Sequence, residues 1–247
     1  MLKNEAIVTR KLRKEYGDKI AVADIDLTVH ERELFALLGV NGAGKTTMIK
    51  MLSCLSAPTA GEAFVLGRDV KKEQDEVKQL IGISTQDTAV AENLTVEENL
   101  QFMAGIYAKG NKKEIAERTE NAMRTFKLTE VRNKRAKTLS GGWKRKLSIA
   151  MAIIGEPKIL YLDEPTLGLD VIARRELWKI IEDLRDRMTI ILTTHYMEEA
   201  EKLADRIAVM IDGHLITTGT LKELEAQTGK KGLEEVFVNI AENGGCI

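Results

Sequence analysis

Gly39-Val40-Asn41-Gly42-Ala43-Gly44-Lys45-Thr46-Thr47 follows the apolar run Leu34-Phe35-Ala36-Leu37-Leu38 and opens a helical pattern, so it reads as a G-x-x-x-x-G-K-[ST] loop between a strand and a helix. Its glycines let the backbone fold back with N–H groups turned inward. The helix that begins near Lys45 adds the positive end of its dipole. Both features favour a bound polyphosphate and imply a nucleotide. Lys45 would reach the β- and γ-phosphates as a point charge, and the Thr46 hydroxyl stands where it can ligate Mg²⁺.

On either side of this loop the chain alternates strands and helices. Upstream, Ile25, Leu27 and Val29 alternate with polar residues, the period-2 pattern of a strand with one wet face, and Gly17-Asp18 separates it from an earlier strand around Ala6 to Arg10. Downstream, the helix runs through about Leu55 and stops at Ala57-Pro58; strands follow at Glu62 to Leu66 and Ile81 to Thr85. From Glu92 to Gly155 the period becomes helical. Thr95-Val96-Glu97-Glu98 has the form of a capping box starting a helix to about Lys109, a second helix spans Lys112 to Phe126, and a third follows Ser140. Beyond it come strand Lys158 to Leu162, helix Val171 to Arg187, strand Thr189 to Thr194, helix Met197 to Ala204 and strand Ile207 to Ile211. Short, nearly continuous apolar strands separated by helices predict an α/β fold whose parallel sheet is covered on both faces, with the helical block inserted into it.

Composition limits the alternatives. With 247 residues, 44% apolar and 30% charged, the chain is an ordinary globular protein that can bury one core and a smaller subdomain. The longest apolar run, between Ser148 and Gly155, is less than half of the roughly 18–20 residues that cross a bilayer. Met1-Leu2-Lys3-Asn4-Glu5 opens no stretch of signal-peptide length, so the cytoplasm is the expected compartment. Cys54, in an apolar helical stretch, reads as a buried thiol and Cys246 as a tail residue, not as a disulfide framework. The net charge is −1, yet Lys109 to Lys146 holds 13 Lys and Arg against 4 Asp and Glu. That block is either a set of solvated helix faces or a basic face for phosphates or an anionic membrane.

Further motifs narrow the reading. Leu139-Ser140-Gly141-Gly142-Trp143-Lys144-Arg145-Lys146 precedes the acidic strand end Ile159-Leu160-Tyr161-Leu162-Asp163-Glu164. Gln86 follows a strand, Leu167-Gly168-Leu169-Asp170 follows the acidic pair, and His195 ends a strand. In this order, over roughly residues 5 to 225, they resemble the signature motif, Q-loop, D-loop and switch histidine of ATP-binding cassette (ABC) proteins, with Tyr16 where that family stacks an aromatic on adenine. Trp143 departs from the family, which most often has glutamine there.

Each element also has a physical rationale. Asp163, at the end of a buried strand, can join Thr46 and Gln86 around Mg²⁺, and Glu164 can orient or deprotonate the attacking water. His195 can donate to the γ-phosphate. Ser140, Gly141 and Gly142 at a helix start form a second anion site.

The resemblance implies a P-loop NTPase core with a mixed, largely parallel sheet, an N-terminal antiparallel β subdomain and an inserted helical subdomain. Residues 1–247 would form one ABC ATPase domain: 1–86 and 156–225 the β and P-loop core, 87–155 the helical signature subdomain, 226–247 a C-terminal tail. Nucleotide contacts would come from Tyr16, Gly39, Asn41, Gly42, Gly44, Lys45, Thr46 and Thr47, with Ser140, Gly141 and Gly142 of a second copy closing over the ATP in a sandwich dimer. Lys45, Gln86, Glu164 and His195 would carry the catalysis.

The resemblance further implies a motor subunit on the cytoplasmic face of the cell membrane, hydrolysing ATP to drive export through a separate multi-span permease, within the drug, antibiotic, lipid or sodium branch. Coupling would run through the surface from Gln86 to Tyr107. A non-transport ABC ATPase acting on nucleic acid or ribosomes is the alternative, but long heptad insertions, zinc-binding cysteine clusters and a second cassette are all missing, so no nucleic-acid partner is expected. A regulatory pseudo-ATPase would lack Glu164 or His195, and both are present.

Overall fold

The computed structural model describes residues 4–242. The chain opens with an antiparallel hairpin, β1 (Glu5–Tyr16) and β2 (Lys19–His30), whose turn is Gly17-Asp18. β1 therefore runs past Arg10. Charged side chains fill most of its second half and hide the alternation, while Leu12 stays fully buried among them. β4 (Ala60–Val65) pairs with the other edge of β1, and the short β5 (Arg68–Asp69) completes a four-stranded antiparallel sheet.

The second sheet holds the site. Its order is β10-β9-β3-β8-β7-β6, from β3 (Leu34–Leu38), β6 (Ile81–Ser84), β7 (Ile159–Asp163), β8 (Thr189–Thr194), β9 (Arg206–Ile211) and β10 (His214–Gly219). All neighbours are parallel except β10 on β9. Every residue of β3, β7 and β8 is buried, which is why their central stretches read as apolar runs, with polar residues only at the ends of β7 and β8. The mixed, largely parallel sheet and the antiparallel N-terminal sheet are those the sequence predicts.

Helices cover both faces. On one side α1 (Lys45–Leu52) packs Met48 and Ile49 against Phe35 and Leu37, in a cluster shared with Ile7 and Val22 of the first sheet. α1 ends three residues before Leu55 because the chain turns at Ser53, whose hydroxyl donates to the Ile49 carbonyl at 2.7 Å, and Cys54 takes φ 59°. Cys54 is half-buried rather than buried, and Cys246 lies outside the described residues.

On the other side lie α3 (Val96–Tyr107), α4 (Lys112–Thr125), α5 (Gly141–Ile153) and α6 (Val171–Leu184). Leu100, Met123, Phe126 and Leu147 of the helical block share one cluster with Leu160, Leu162 and Ile190 of the sheet, so block and sheet are joined by a continuous core. The Thr95 capping box is present: its hydroxyl accepts from the Glu98 N–H at 3.2 Å, and the Glu98 carboxylate accepts from the Thr95 N–H at 2.7 Å.

Several elements lie outside the sequence reading: β5, β10, α2 (Gln74–Leu80), α8 (Leu221–Thr228) and α9 (Leu233–Glu242). α9 buries Leu233, Val236, Phe237 and Ile240 in a cluster with α7 (Met197–Leu203) and with Ala36 and Leu38 of β3 and Ile207 and Val209 of β9.

Candidate active site

Three adjacent strands, β3, β8 and β7, end at the same edge of the sheet, where ligands of open α/β folds bind. From β3 the chain enters the loop Gly39 to Gly44. Gly44 stands at φ 101° with room for nothing larger, since a Cβ there would meet the Ala21 carbonyl oxygen at 2.4 Å; one on Gly39 would meet that of Met210 at 2.4 Å. Glycine is thus demanded by contact as well as by turn geometry. Lys45, Thr46 and Thr47, the first residues of α1, line the space beside this loop, and the first N–H groups of a helix have no acceptor within it.

Lys45 is buried in that loop. Its Nζ donates to the carbonyls of Gly39 at 2.7 Å and Val40 at 3.1 Å and lies 3.4 Å from Glu164 Oε1. Desolvation pulls the ammonium pKa below the usual lysine value, opposed by the charges of Glu164 and Asp163. Asp163, at the end of β7, accepts from the Thr46 hydroxyl at 3.0 Å and from the Thr193 hydroxyl at 2.6 Å. Thr193 Oγ1 in turn accepts from the Glu164 N–H at 3.0 Å. Glu164 adopts φ 47°, a left-handed conformation uncommon outside glycine, and its Oε2 lies 3.0 Å from His195 Nδ1. One carboxylate thereby sits between the phosphate-loop lysine and the strand-end histidine.

Tyr16, Asn41, Gly42, Gly44, Lys45, Thr46, Thr47, Gln86, Glu164 and His195 line a single cavity of about 430 Å³. Gly39 and Asp163 lie at its wall through their bonds to Lys45 and Thr46. Tyr16 is half-exposed at the rim, with Lys14 Nζ 5.0 Å from its ring centre. Ser140, Gly141 and Gly142 line none of it. A larger cleft, about 510 Å³, opens near the opposite strand ends between Arg118, Ile154 and Arg187 and contains none of the groups above.

The donor set suits a hard cation that comes with phosphate. Thr46 and Asp163 offer a hydroxyl and a carboxylate sharing one hydrogen bond, and among the described residues no group of three or more His, Cys, Asp or Glu could hold a metal alone. Mg²⁺ is bound in this way, by one or two protein oxygens completed by substrate phosphates and water.

Three residues to which the sequence reading gave no role are buried in or beside the site. Thr193 ties Asp163 to the backbone of Glu164, and the signal for it is a threonine pair, Thr193-Thr194, closing a fully buried strand. Arg145 donates to the carbonyls of Thr85 and Gln86, with no local pattern to announce it. Glu199 of α7 is fully buried and accepts from Trp178 Nε1 at 3.1 Å; burial pushes its carboxyl above the usual range. Trp143 lies partly buried on the helical core with Lys146 Nζ 4.6 Å from its ring centre, and Lys146 pairs with Glu176 at 2.7 Å.

Residues 22–167 match a family model described as ABC transporter. The chain is 38% identical over 243 residues to the daunorubicin resistance ATP-binding protein DrrA3 of Streptomyces coeruleorubidus, covering 98% of this chain and 77% of that protein. Among solved structures, the ATP binding subunit of an ABC transporter superposes with a TM-score of 0.85 at 28% identity, covering 96% of this chain and 99% of the other. A bacterial ABC transporter cassette solved as a dimer gives a TM-score of 0.78 at 25% identity, covering 87% and 98%. Other curated relatives are much longer, and the chain spans 27% of one and 25% of another.

Proposed function

The chain belongs to the ABC transporter family as one of its ATPases, and from that premise we propose that it energises export through a separate multi-span permease, working as one half of an ATP-sandwich dimer. The observation that carries the dimer is the distance in role between two parts of one chain. The phosphate loop lines the cavity, whereas Ser140 is exposed at the start of α5, caps no N–H with its side chain and lies outside that cavity. A Cβ on Gly142 would stand 3.2 Å from Ala173 Cβ, so this turn rests on the start of α6, where Val171 and Ile172 are 54% and 72% exposed. Exposed helix-start N–H groups beside aliphatic side chains suit a second copy that brings a phosphate with it.

In the proposed assignment the loop N–H groups and Lys45 hold the β- and γ-phosphates. Thr46, Asp163 and Gln86 would hold Mg²⁺, which would supply neutralisation of the phosphate charge. Glu164, steadied by Thr193, takes up the proton of the attacking water, and His195 donates to the γ-phosphate. No protein nucleophile takes part: the water oxygen bonds to the γ-phosphorus as the bond to the bridging oxygen of ADP breaks, and positioning and electrostatics carry the rate. Tyr16 stacks on adenine. Stacking of a base on an aromatic is worth about 1–3 kcal/mol, so Tyr16→Ala is expected to raise KM for ATP ~10-fold with kcat within a few-fold. A collapse of kcat at unchanged KM in steady-state assays would remove Tyr16 from this role.

Among the described residues no helix is long and apolar enough to cross a membrane. The proposed arrangement seats the chain on the cytoplasmic face, against a separate permease. Phe102 and Ile106, 63% and 59% exposed on α3, are the proposed contact with the permease. Glu98 is unsuited to testing it because it belongs to the capping box, and Glu97 pairs with Arg132 at 3.2 Å. Phe102→Asp is the cleaner probe. It should abolish co-purification with the permease and transport in vesicles while the isolated subunit keeps its ATPase within about two-fold, as expected for a surface change. ATPase loss in the isolated subunit would place Phe102 in the fold or the catalytic site instead.

Within the basic block from Lys109 to Lys146, Arg118, Arg132, Lys144 and Lys146 pair with glutamates and Arg145 is buried, so these five are committed to the fold.

A further inference from the structure

Helix α5 faces two places at once. Its first turn, Ser140 to Gly142, lies outside the nucleotide cavity of its own chain, yet the buried guanidinium of Arg145, just over a turn beyond Ser140, reaches back to the loop that supplies Gln86 to that cavity. Arg145 Nη1 donates to the Thr85 carbonyl at 2.7 Å and Nη2 to the Gln86 carbonyl at 2.6 Å. Two bonds from one planar fork fix direction as well as position, which a single ammonium cannot do. Further along the same helix, Ser148 Oγ lies 3.0 Å from Ser84 Oγ. α5 is thus attached to the segment Ser84 to Gln86 at two points.

The attachment is costly to keep. Burial presses the Arg145 pKa down, and the charges of Asp163, Asp87 and Glu199 oppose it. A guanidinium held in the interior by carbonyls is expensive to desolvate, so a greasy side chain would serve a purely packing role better.

We infer that Arg145 is a positioning residue that links the two nucleotide sites of the dimer, setting Gln86 in its own chain's cavity according to what Ser140 to Gly142 of that chain touch on the other copy. This rests on the composite-site reading above. When the first turn of α5 closes on the neighbouring copy's γ-phosphate, the helix carries the Arg145 fork, and the fork carries Gln86. Each copy then hydrolyses only when it is also engaged at the other site, and the rate depends cooperatively on ATP.

The test compares Arg145→Met, which keeps the stem and removes the fork, with Arg145→Lys, which keeps the charge and one donor. In Arg145→Met, kcat should fall about 10- to 100-fold, the scale of loss from ~1 Å misplacement of a group at a reacting centre. Its Kd for a fluorescent ATP analogue should stay within about 3-fold of the parent, because ground-state contacts are untouched. The Hill coefficient for ATP should drop from above one to one, and Arg145→Lys should fall between parent and Arg145→Met. In a Glu164→Gln background, Arg145→Met should still form the ATP-dependent dimer. The inference is overturned if kcat and Hill coefficient match the parent, if the parent itself shows no cooperativity, or if kcat, Kd and thermal midpoint are lost together and lysine restores none of them. If Arg145→Met does not fold, Arg145→Lys decides: a lowered Hill coefficient supports the link and parental values overturn it. Failure of Glu164→Gln alone to dimerise is a separate outcome that strikes the composite-site reading, not Arg145.

Discussion

Glu164→Gln protein supplied with ATP and Mg²⁺ is expected to elute as a dimer and to hydrolyse ATP about 10²- to 10⁴-fold more slowly than the parent, the usual contribution of a positioned general base. The amide keeps the shape of the carboxylate and a hydrogen-bonding group within reach of His195 Nδ1, now 3.0 Å from Oε2. It loses the negative charge that draws a proton from water. Folding should survive, because Lys45 retains its bonds to the Gly39 and Val40 carbonyls when the carboxylate at 3.4 Å is replaced. Thr46 and Asp163 are untouched, so nucleotide should bind as before. With the γ-phosphate uncleaved, nothing releases the contact between one phosphate loop and the other copy's Ser140. Single-turnover hydrolysis and size-exclusion chromatography read the two effects separately. An unchanged rate would exclude Glu164 as the base, and a monomer at high protein concentration counts against the shared site.

Adding Ser140→Arg to that variant should abolish the dimer while each copy still binds nucleotide. Ser140 is exposed and its hydroxyl caps no helix N–H, so the fold loses little; even a working serine cap is worth only about 0.5–2 kcal/mol. The long side chain would fill the space that the facing phosphate must occupy. Equilibrium dialysis with labelled ATP measures the retained binding and chromatography the lost association. A double variant that still dimerises would show that the contact between copies lies elsewhere, with the exposed Val171 and Ile172 the next residues to change.

Local pattern carried much of this architecture. β3, β7 and β8 are buried on both faces, which favours apolar residues along their middles; the glycine loop after β3 demands residues that almost nothing else demands. The helix start at Thr95 was legible because its cap chemistry is written in adjacent residues, and that at Ser140 from the residue types alone, since its hydroxyl makes no cap bond. The second half of β1 was not, since a strand with one wet face can be charged there, and Lys11, at φ 48°, interrupts the register. α8 carries a capping box at Thr220 and Glu223 as clear as that of Thr95, but it spans only Leu221–Thr228, too short for a periodic signal. α9 has its apolar side chains at helical spacing, yet nothing local says which surface they cover.

The same division runs through the site. Groups brought together by one loop, such as Gly39 to Thr46, could be read in sequence. Thr193 meets Asp163 across 30 residues and Arg145 meets Thr85 across 60, and such pairings arise only when the sheet order is fixed. Their types gave partial warning. A threonine in a run of isoleucine and leucine needs a partner, whereas an arginine among lysines does not stand out.

Trp143 and Trp178, the two tryptophans of the chain, sit in unlike settings. Trp178 is buried on α6, with its indole N–H committed to Glu199. Trp143 is on the first turn of α5, only partly covered, with the Lys146 ammonium over its ring. The molecule therefore carries a steady internal emitter beside an environment-sensitive one, and the sensitive one stands three residues from Ser140. Association of two copies can be followed by the protein's own ultraviolet emission, on the millisecond scale of a rapid-mixing experiment, without a dye, a tag or a separation step.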